Sequence, residues 1–174
     1  MTIRTFEGNE LLKLADRMRS FFVGRDEVVW RAADVYSSAA QTIAANTYTA
    51  LTFNAIHQDT DSMFAIGSPT RLTVKVGGWY VCSGHCLLAG LVGGTTGAER
   101  LIAIRVNNSA VAVNNYGALP SVGGVLPNIY MSIARVIFLN SNDYVELFVL
   151  HSSAVTIDTV ITNYSPILAV SRYP

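Results

Sequence analysis

Charge is what this sequence has least of. Only 14% of its 174 residues are Asp, Glu, Lys or Arg, against roughly 25% in an ordinary soluble domain. Twelve bases balance twelve acids, so the net charge is zero. Binding phosphates needs a basic surplus, so no nucleic-acid partner is expected. Long apolar runs are missing too. Cys86-Leu87-Leu88-Ala89 is cut by Gly90 and falls far short of a bilayer span, so no membrane insertion is expected. Arg4, Glu7, Asn9 and Glu10 interrupt any apolar core near the start, which argues against a secretory signal. Without one, the triplets Asn107-Asn108-Ser109 and Asn163-Tyr164-Ser165 read as chance matches to a glycosylation site.

Cysteine is scarce, with two residues. On a strand Cys82 and Cys86 would point the same way about 13 Å apart, too far for a disulfide or one shared ion. His85 would face the other side. Two buried free thiols are expected, which suits synthesis in a reducing compartment. Catalytic patterns are missing as well. There is no Gly-x-Ser-x-Gly elbow, no His-Glu-x-x-His, and Gly93-Gly94-Thr95-Thr96-Gly97 lacks the lysine of a phosphate loop. His57, His85 and His151 lie in separate segments, and no carboxylate pair can be placed for glycan hydrolysis. Asp59 and Asp61 have the spacing that opens a calcium loop, but no glycine and glutamate follow at the right steps. They read as solvated loop carboxylates. No catalytic residue, cofactor or metal is assigned, and the chain is expected not to be an enzyme.

The charge that exists is unevenly placed. Residues 1–34 hold six bases and six acids, half of the total. Within them, residues 9–22 read as a helix. Leu11, Leu14, Ala15, Met18 and Phe22 recur at three- and four-residue steps, Asn9 suits the N-cap, and Gly24 suits the stop. Its apolar stripe either packs on the chain's own domain or docks on another protein; periodicity does not choose between them. Two units are therefore expected: an N-terminal helical arm at 1–34, with Leu11, Leu14, Met18 and Phe22 as its docking residues, and a body at 35–174. A body this poor in charge is expected to cover part of its surface with copies of itself.

The body reads as strands throughout. Its centre is Arg71–Gly90. Leu72, Val74 and Val76 alternate with Thr73 and Lys75, and Gly77-Gly78 then breaks the run. The next run puts Tyr80, Cys82, Gly84, Cys86 and Leu88 on one face and Trp79, Val81, His85 and Leu87 on the other. Both faces are apolar, which predicts burial on both, in a sandwich interior or at a subunit contact. Around this centre, short strands are expected at 35–37, 41–44, 47–53, 63–66, 99–107 and 167–173, with a polar loop at 57–62. A long loop is expected at 114–128. Residues 131–139 and 144–151 read as a hairpin about Asn140–Asp143, and Asn107-Asn108 as a tight turn. Tyr80, Ile104 and Leu147 are expected in the core. About ten strands with regular turns predict a two-sheet antiparallel sandwich.

A set of ordered pieces carries a family resemblance. Arg71-Leu72-Thr73-Val74, Gly78-Trp79-Tyr80-Val81, Gly97-Ala98-Glu99-Arg100, Ile104-Arg105-Val106-Asn107, Leu139, Asn142-Asp143-Tyr144-Val145-Glu146-Leu147 and Tyr164-Ser165-Pro166 occur in that order. Together they resemble the jelly-roll family of the complement one-q globular head and tumour necrosis factor, and most of all its bacterial and bacteriophage virion or fibre members. The resemblance covers about residues 35–173. Asn142 stands where the family has glycine, and Asn108 where it has the glycine of Asn-Gly; asparagine also tolerates positive φ. The resemblance implies an all-β, ten-strand jelly roll that assembles as a homotrimer. Some members bind calcium, but no ligand set carries over. With the arm, this leads to the expectation of a structural protein in a bacteriophage head decoration, spike or fibre, assembled in the host cytoplasm and attached to other virion proteins through the arm. The alternative is an adhesion module whose loops bind a host-surface glycan or protein. Tyr116 and Tyr130 are its candidate stacking residues, unless they fill the core or the trimer contact.

Overall fold

The computed structural model describes residues 30–92, 98–117, 125–161 and 166–173. The expected helix over 9–22, with Leu11, Leu14, Met18 and Phe22, lies outside the described residues. So do the Gly93–Gly97 turn and Tyr164-Ser165. Among the described residues there is no helix.

Ten strands form two five-stranded antiparallel sheets. The first runs β11 (Ile129–Leu139), β6 (Gly78–Leu88), β14 (Ile167–Arg172), β1 (Ala32–Tyr36) and β4 (Ala55–Asp59). The second runs β3 (Thr49–Ala50), β12 (Tyr144–His151), β8 (Arg100–Val106) and β9 (Ser109–Asn115), and β5 (Arg71–Thr73) also pairs with β12. Two short ribbons complete the described set: β7 (Leu91–Val92) with β10 (Val125–Leu126), and β2 (Thr42–Ile43) with β13 (Ile157–Asp158). β1 begins at Ala32, so Ala32, Ala33 and Asp34 belong to the sheet.

Period-two alternation sets the core. Along β6, Tyr80, Cys82, Cys86 and Leu88 are fully buried. From the opposite sheet come Leu72, Ile102, Ile104, Val145, Leu147 and Val149, all fully buried. Ile104 pairs directly with Leu147. Gly84 lets the sheets approach, because a Cβ there would stand 2.6 Å from Leu147 Cδ2. Tyr80 is buried with its hydroxyl donating to the Val76 carbonyl at 2.6 Å, so its one polar atom is satisfied.

Several sequence expectations change. The Asn140–Asp143 turn does not close a hairpin. β11 pairs with β6, while β12 pairs with β8, so the turn crosses from one sheet to the other. It is held there by others. Asn142 N–H donates to the Val74 carbonyl at 2.8 Å, Val74 N–H to that of Asp143 at 2.8 Å, and Asn107 Nδ2 to the Asp143 carboxylate at 2.7 Å. The asparagine turns take the left-handed region, with φ of 48° at Asn107, 67° at Asn108 and 71° at Asn142.

The polar stretch at 57–62 is not all loop. Ala55–Asp59 is β4, an edge strand, where apolar alternation is not required because one face and one edge meet water. The strand expected over 47–53 is short: Thr49 and Ala50 pair with β12, Leu51 N–H donates to the Leu147 carbonyl at 2.9 Å, and β5 takes the next part of that β12 edge. Residues 63–66 supply one bridge, Phe64 to Leu72. The loop expected over 114–128 is shorter: β9 reaches Asn115 and β10 occupies Val125–Leu126. Finally, β6 is buried within the chain on one face only.

Asp59 and Asp61 are also corrected, since neither is simply solvated. The Asp59 carboxylate accepts N–H bonds from Met63 at 2.9 Å, Phe64 at 3.0 Å and Asp61 at 3.3 Å. Asp61 pairs with Arg31. Its lone pairs thus committed, Asp59 is a chain anchor rather than half a calcium loop. Asp59→Ala strands three N–H groups and is expected to cost about 1–3 kcal/mol. Urea unfolding reads this directly; an unchanged midpoint would show that water takes over the three bonds.

Candidate functional site

The two outer faces of the sandwich differ in chemistry. On the second sheet, Arg71, Glu146 and Arg105 stand side by side across β5, β12 and β8. Glu146 accepts from the Thr70 hydroxyl at 2.8 Å. Arg71 lies 4.3 Å over the Tyr144 ring and Arg105 4.5 Å over that of Phe148. On this face the two cations lie on aromatic planes and flank the buried carboxylate of Glu146.

The first sheet carries no such ladder. Register places its outward side chains in rows. One row is Asp34, Ala169, Ser83 and Ala134; the next is Tyr36, Ile167, His85 and Ser132. Below them run Ala32, Ser171, Val81 and Val136, then Trp79 beside Phe138; above them Leu87 pairs with Tyr130. No lysine or arginine occurs in these rows, and Asp34 is their one acid. Within the single chain Trp79 is 55% exposed, Val136 53%, Phe138 52%, Tyr130 45% and Val81 37%. Trp79 and Phe138 meet edge to face at 5.5 Å. An open groove of about 560 Å³ lies between β6, β11, β14 and β9, lined by the small side chains of Ser83, Ser132 and Ala134 and also by His85, Ile167 and Arg135. The exposed apolar side chains thus form one cluster at Trp79, Val81, Val136 and Phe138 and a second position at Tyr130, with smaller and polar side chains between them.

At the rim of this face, His57 stacks on Tyr36 at 4.2 Å and approaches Asp34 at 3.4 Å. His85 lies 5.4 Å from Tyr130. Burial pulls the His85 pKa below its ordinary value, opposed by the charge of Asp34. The thiols of Cys82 and Cys86 point the other way, free and buried, and burial pushes both up to about 12. They are protonated at neutral pH, so neither is a nucleophile. Among the described residues, no three His, Cys, Asp or Glu side chains are grouped to hold a metal.

Tyr116 and Tyr130 do not share one loop. The Tyr116 hydroxyl accepts from Ser132 N–H at 2.7 Å and donates to its carbonyl at 2.9 Å, which docks β9 on the edge of β11. Tyr130 belongs to β11. The expected core residues Tyr80, Ile104 and Leu147 are all fully buried.

Sequence reasoning missed a buried polar cluster at the end of the second sheet. Arg100 and His151 are opposite each other, and both are fully buried. Arg100 Nη1 donates to Ser153 Oγ at 2.7 Å, and His151 Nε2 meets the Ile43 carbonyl at 2.9 Å. The available signal was phase, since Arg100 shares the inward face with Ile102 and Ile104. Burial lowers the His151 pKa; the Ile43 hydrogen bond opposes this and the Arg100 charge adds to it.

The folded pKa values of His85 and His151 lie below the unfolded ones, so the unfolded chain takes up protons first as pH falls. Their contribution is complete above about pH 6.5 and is lost progressively below it. A lower urea midpoint is expected at about pH 5 than at about pH 7.5. His151→Gln keeps a donor for Ile43 and should flatten that difference. A midpoint that rises on acidification would contradict the burial of both rings.

No protein-family model matches the sequence, and no curated protein matches it. A solved structure matches the fold: Eiger TNF from S. frugiperda, at a TM-score of 0.59 and 10% identity, over 83% of this chain and 93% of that one. The fold is a TNF-like jelly roll. At this identity the TNF-like likeness shows architecture alone.

Proposed function

We propose that this chain is a non-enzymatic structural protein of a bacteriophage particle, a trimeric jelly roll forming a head decoration, spike or fibre. The observation that carries the reading is the outward face of the first sheet. Trp79, Val81, Tyr130, Val136 and Phe138 are exposed on it and its rows hold no lysine or arginine, whereas the outer face of the second sheet carries Arg71 and Arg105 about a buried Glu146. Three copies packed about an axis would cover the apolar face and leave the charged one in water. The resemblance to virion and fibre jelly rolls adds the setting, and the charged segment ahead of Trp30 supplies the attachment to other virion proteins.

Antibody labelling of purified particles under the electron microscope tests the setting. Regular labelling on the particle surface is expected, and chain found only in the host cytoplasm would contradict it. The attachment role is tested by a shortened chain beginning at Trp30, which keeps Arg31 and all of β1. It should trimerise but leave particles lacking the full-length protein undecorated. Decoration at full occupancy would move the docking surface onto the jelly roll. A glycan array with the full-length protein tests the adhesion alternative, which predicts specific sugar binding where the structural role predicts none.

A further inference from the structure

Arg100 is the largest fully buried side chain among the described residues. Its guanidinium is charged at any pH the fold survives, because no accessible pH removes its proton. Yet it meets only neutral groups. Nη1 donates to Ser153 Oγ at 2.7 Å and reaches the Glu99 carbonyl at 3.4 Å. Nε and Nη2 are buried without a hydrogen-bond partner. Among the described residues, no carboxylate comes within ion-pair distance of it. His151, directly opposite, adds no negative charge, and its Nδ1 is likewise buried and unpartnered.

A buried cation without a counter-charge costs several kcal/mol even after relaxation. Polar neighbours or water can satisfy its N–H groups, but they cannot cancel its charge. An anion does both. The two orphaned donors, Nε and Nη2, are adjacent on one edge of the guanidinium, which is the edge that holds anions in fork geometry. Full burial limits the guest to a small one.

We propose that the Nε and Nη2 edge of Arg100 binds a small monovalent anion of halide size, closing the end of the sandwich where β8 and β12 meet the β2–β13 ribbon. The anion is structural. It neutralises Arg100 and thereby holds in place the Ser153 hydroxyl and the His151 ring, which reaches Ile43 at 2.9 Å. Such a guest stabilises the folded chain by mass action, since the unfolded chain has no assembled site.

Bromide is the probe. Crystals of the full chain grown with sodium bromide should show an anomalous peak within hydrogen-bond distance of Arg100 Nε and Nη2. In solution, melting of the wild-type protein should rise with bromide when ionic strength is held constant with sodium gluconate, whose anion is too large to enter. Arg100→Met removes the charge while keeping an unbranched side chain, and it should abolish the bromide dependence. If that variant fails to fold, the wild-type crystals still decide. Bromide found only at surface sites, with water or a carboxylate of the chain on the Arg100 fork, overturns the proposal. So does a bromide response of equal size in Arg100→Met.

Discussion

Replacing Leu147 by alanine is expected to cost the fold about 2–5 kcal/mol. Leu147 is fully buried and central. It pairs with Ile104 across β12 and β8, and its methyl groups reach across the sandwich to Gly84 of β6. Gly84 has no side chain to fill the space a shortened Leu147 leaves. The two sheets would have to move together as bodies to close it, and their hydrogen-bonded ladders resist that. The cavity therefore persists, which places the cost toward the upper part of the range. Ile104→Ala should fall in the same range. Urea unfolding of each variant measures the loss. A change below about 0.5 kcal/mol at both positions would be surface-like and would contradict these strand faces.

The second large effect is on assembly. Phe138→Glu is expected to convert the proposed trimer into folded monomers. Phe138 is 52% exposed in the single chain and lies against Trp79, so a glutamate there can reach water as long as the chain stands alone. Once neighbours cover the face, the carboxylate finds no basic partner among the outward rows. Burying it unpaired costs several kcal/mol at each of three related sites. Circular dichroism should remain that of a β-protein while the mass in solution falls. Val136→Glu should behave alike, whereas a charge added on the opposite face, as in Thr73→Glu, should leave the mass unchanged. Retention of full mass by both Phe138→Glu and Val136→Glu would place the assembly surface elsewhere.

Much of this architecture was legible because strand physics is local. The alternation of β6 assigned Tyr80, Cys82, Cys86 and Leu88 to one face, and all four are fully buried. Asn107-Asn108 was expected as a tight turn from the tolerance of asparagine, and Asn142 stands where the resembled family has glycine; all three adopt positive φ. Sheet membership was less legible. Asn140–Asp143 has the composition of a hairpin turn, and only its bonds to Val74 and Asn107, remote in sequence, send the chain to the other sheet. β4 was hidden for a different reason. An edge strand reading Ala-Ile-His-Gln-Asp has no apolar period to detect, because its pairing with β1 is made by backbone.

The candidate site divides along the same line. The apolar character of Trp79, Val81 and Leu87 was visible, and it gave the expectation of a strand buried on both faces. Which face belongs to the core and which lies open in a lone chain depends on the partner sheet. Arg100 was readable in phase with Ile102 and Ile104, but a charged residue at the end of a strand is commonly taken to turn outward. Its burial depends on Ser153 and His151, which arrive from a segment some fifty residues away.

Sedimentation velocity of the purified full-length chain at micromolar concentration tests the central claim most directly. A single species with the mass of three chains is expected, with Phe138→Glu sedimenting as one. A wild-type protein that sediments as a stable monomer would leave the apolar face of the first sheet open in solution and would contradict the proposed assembly.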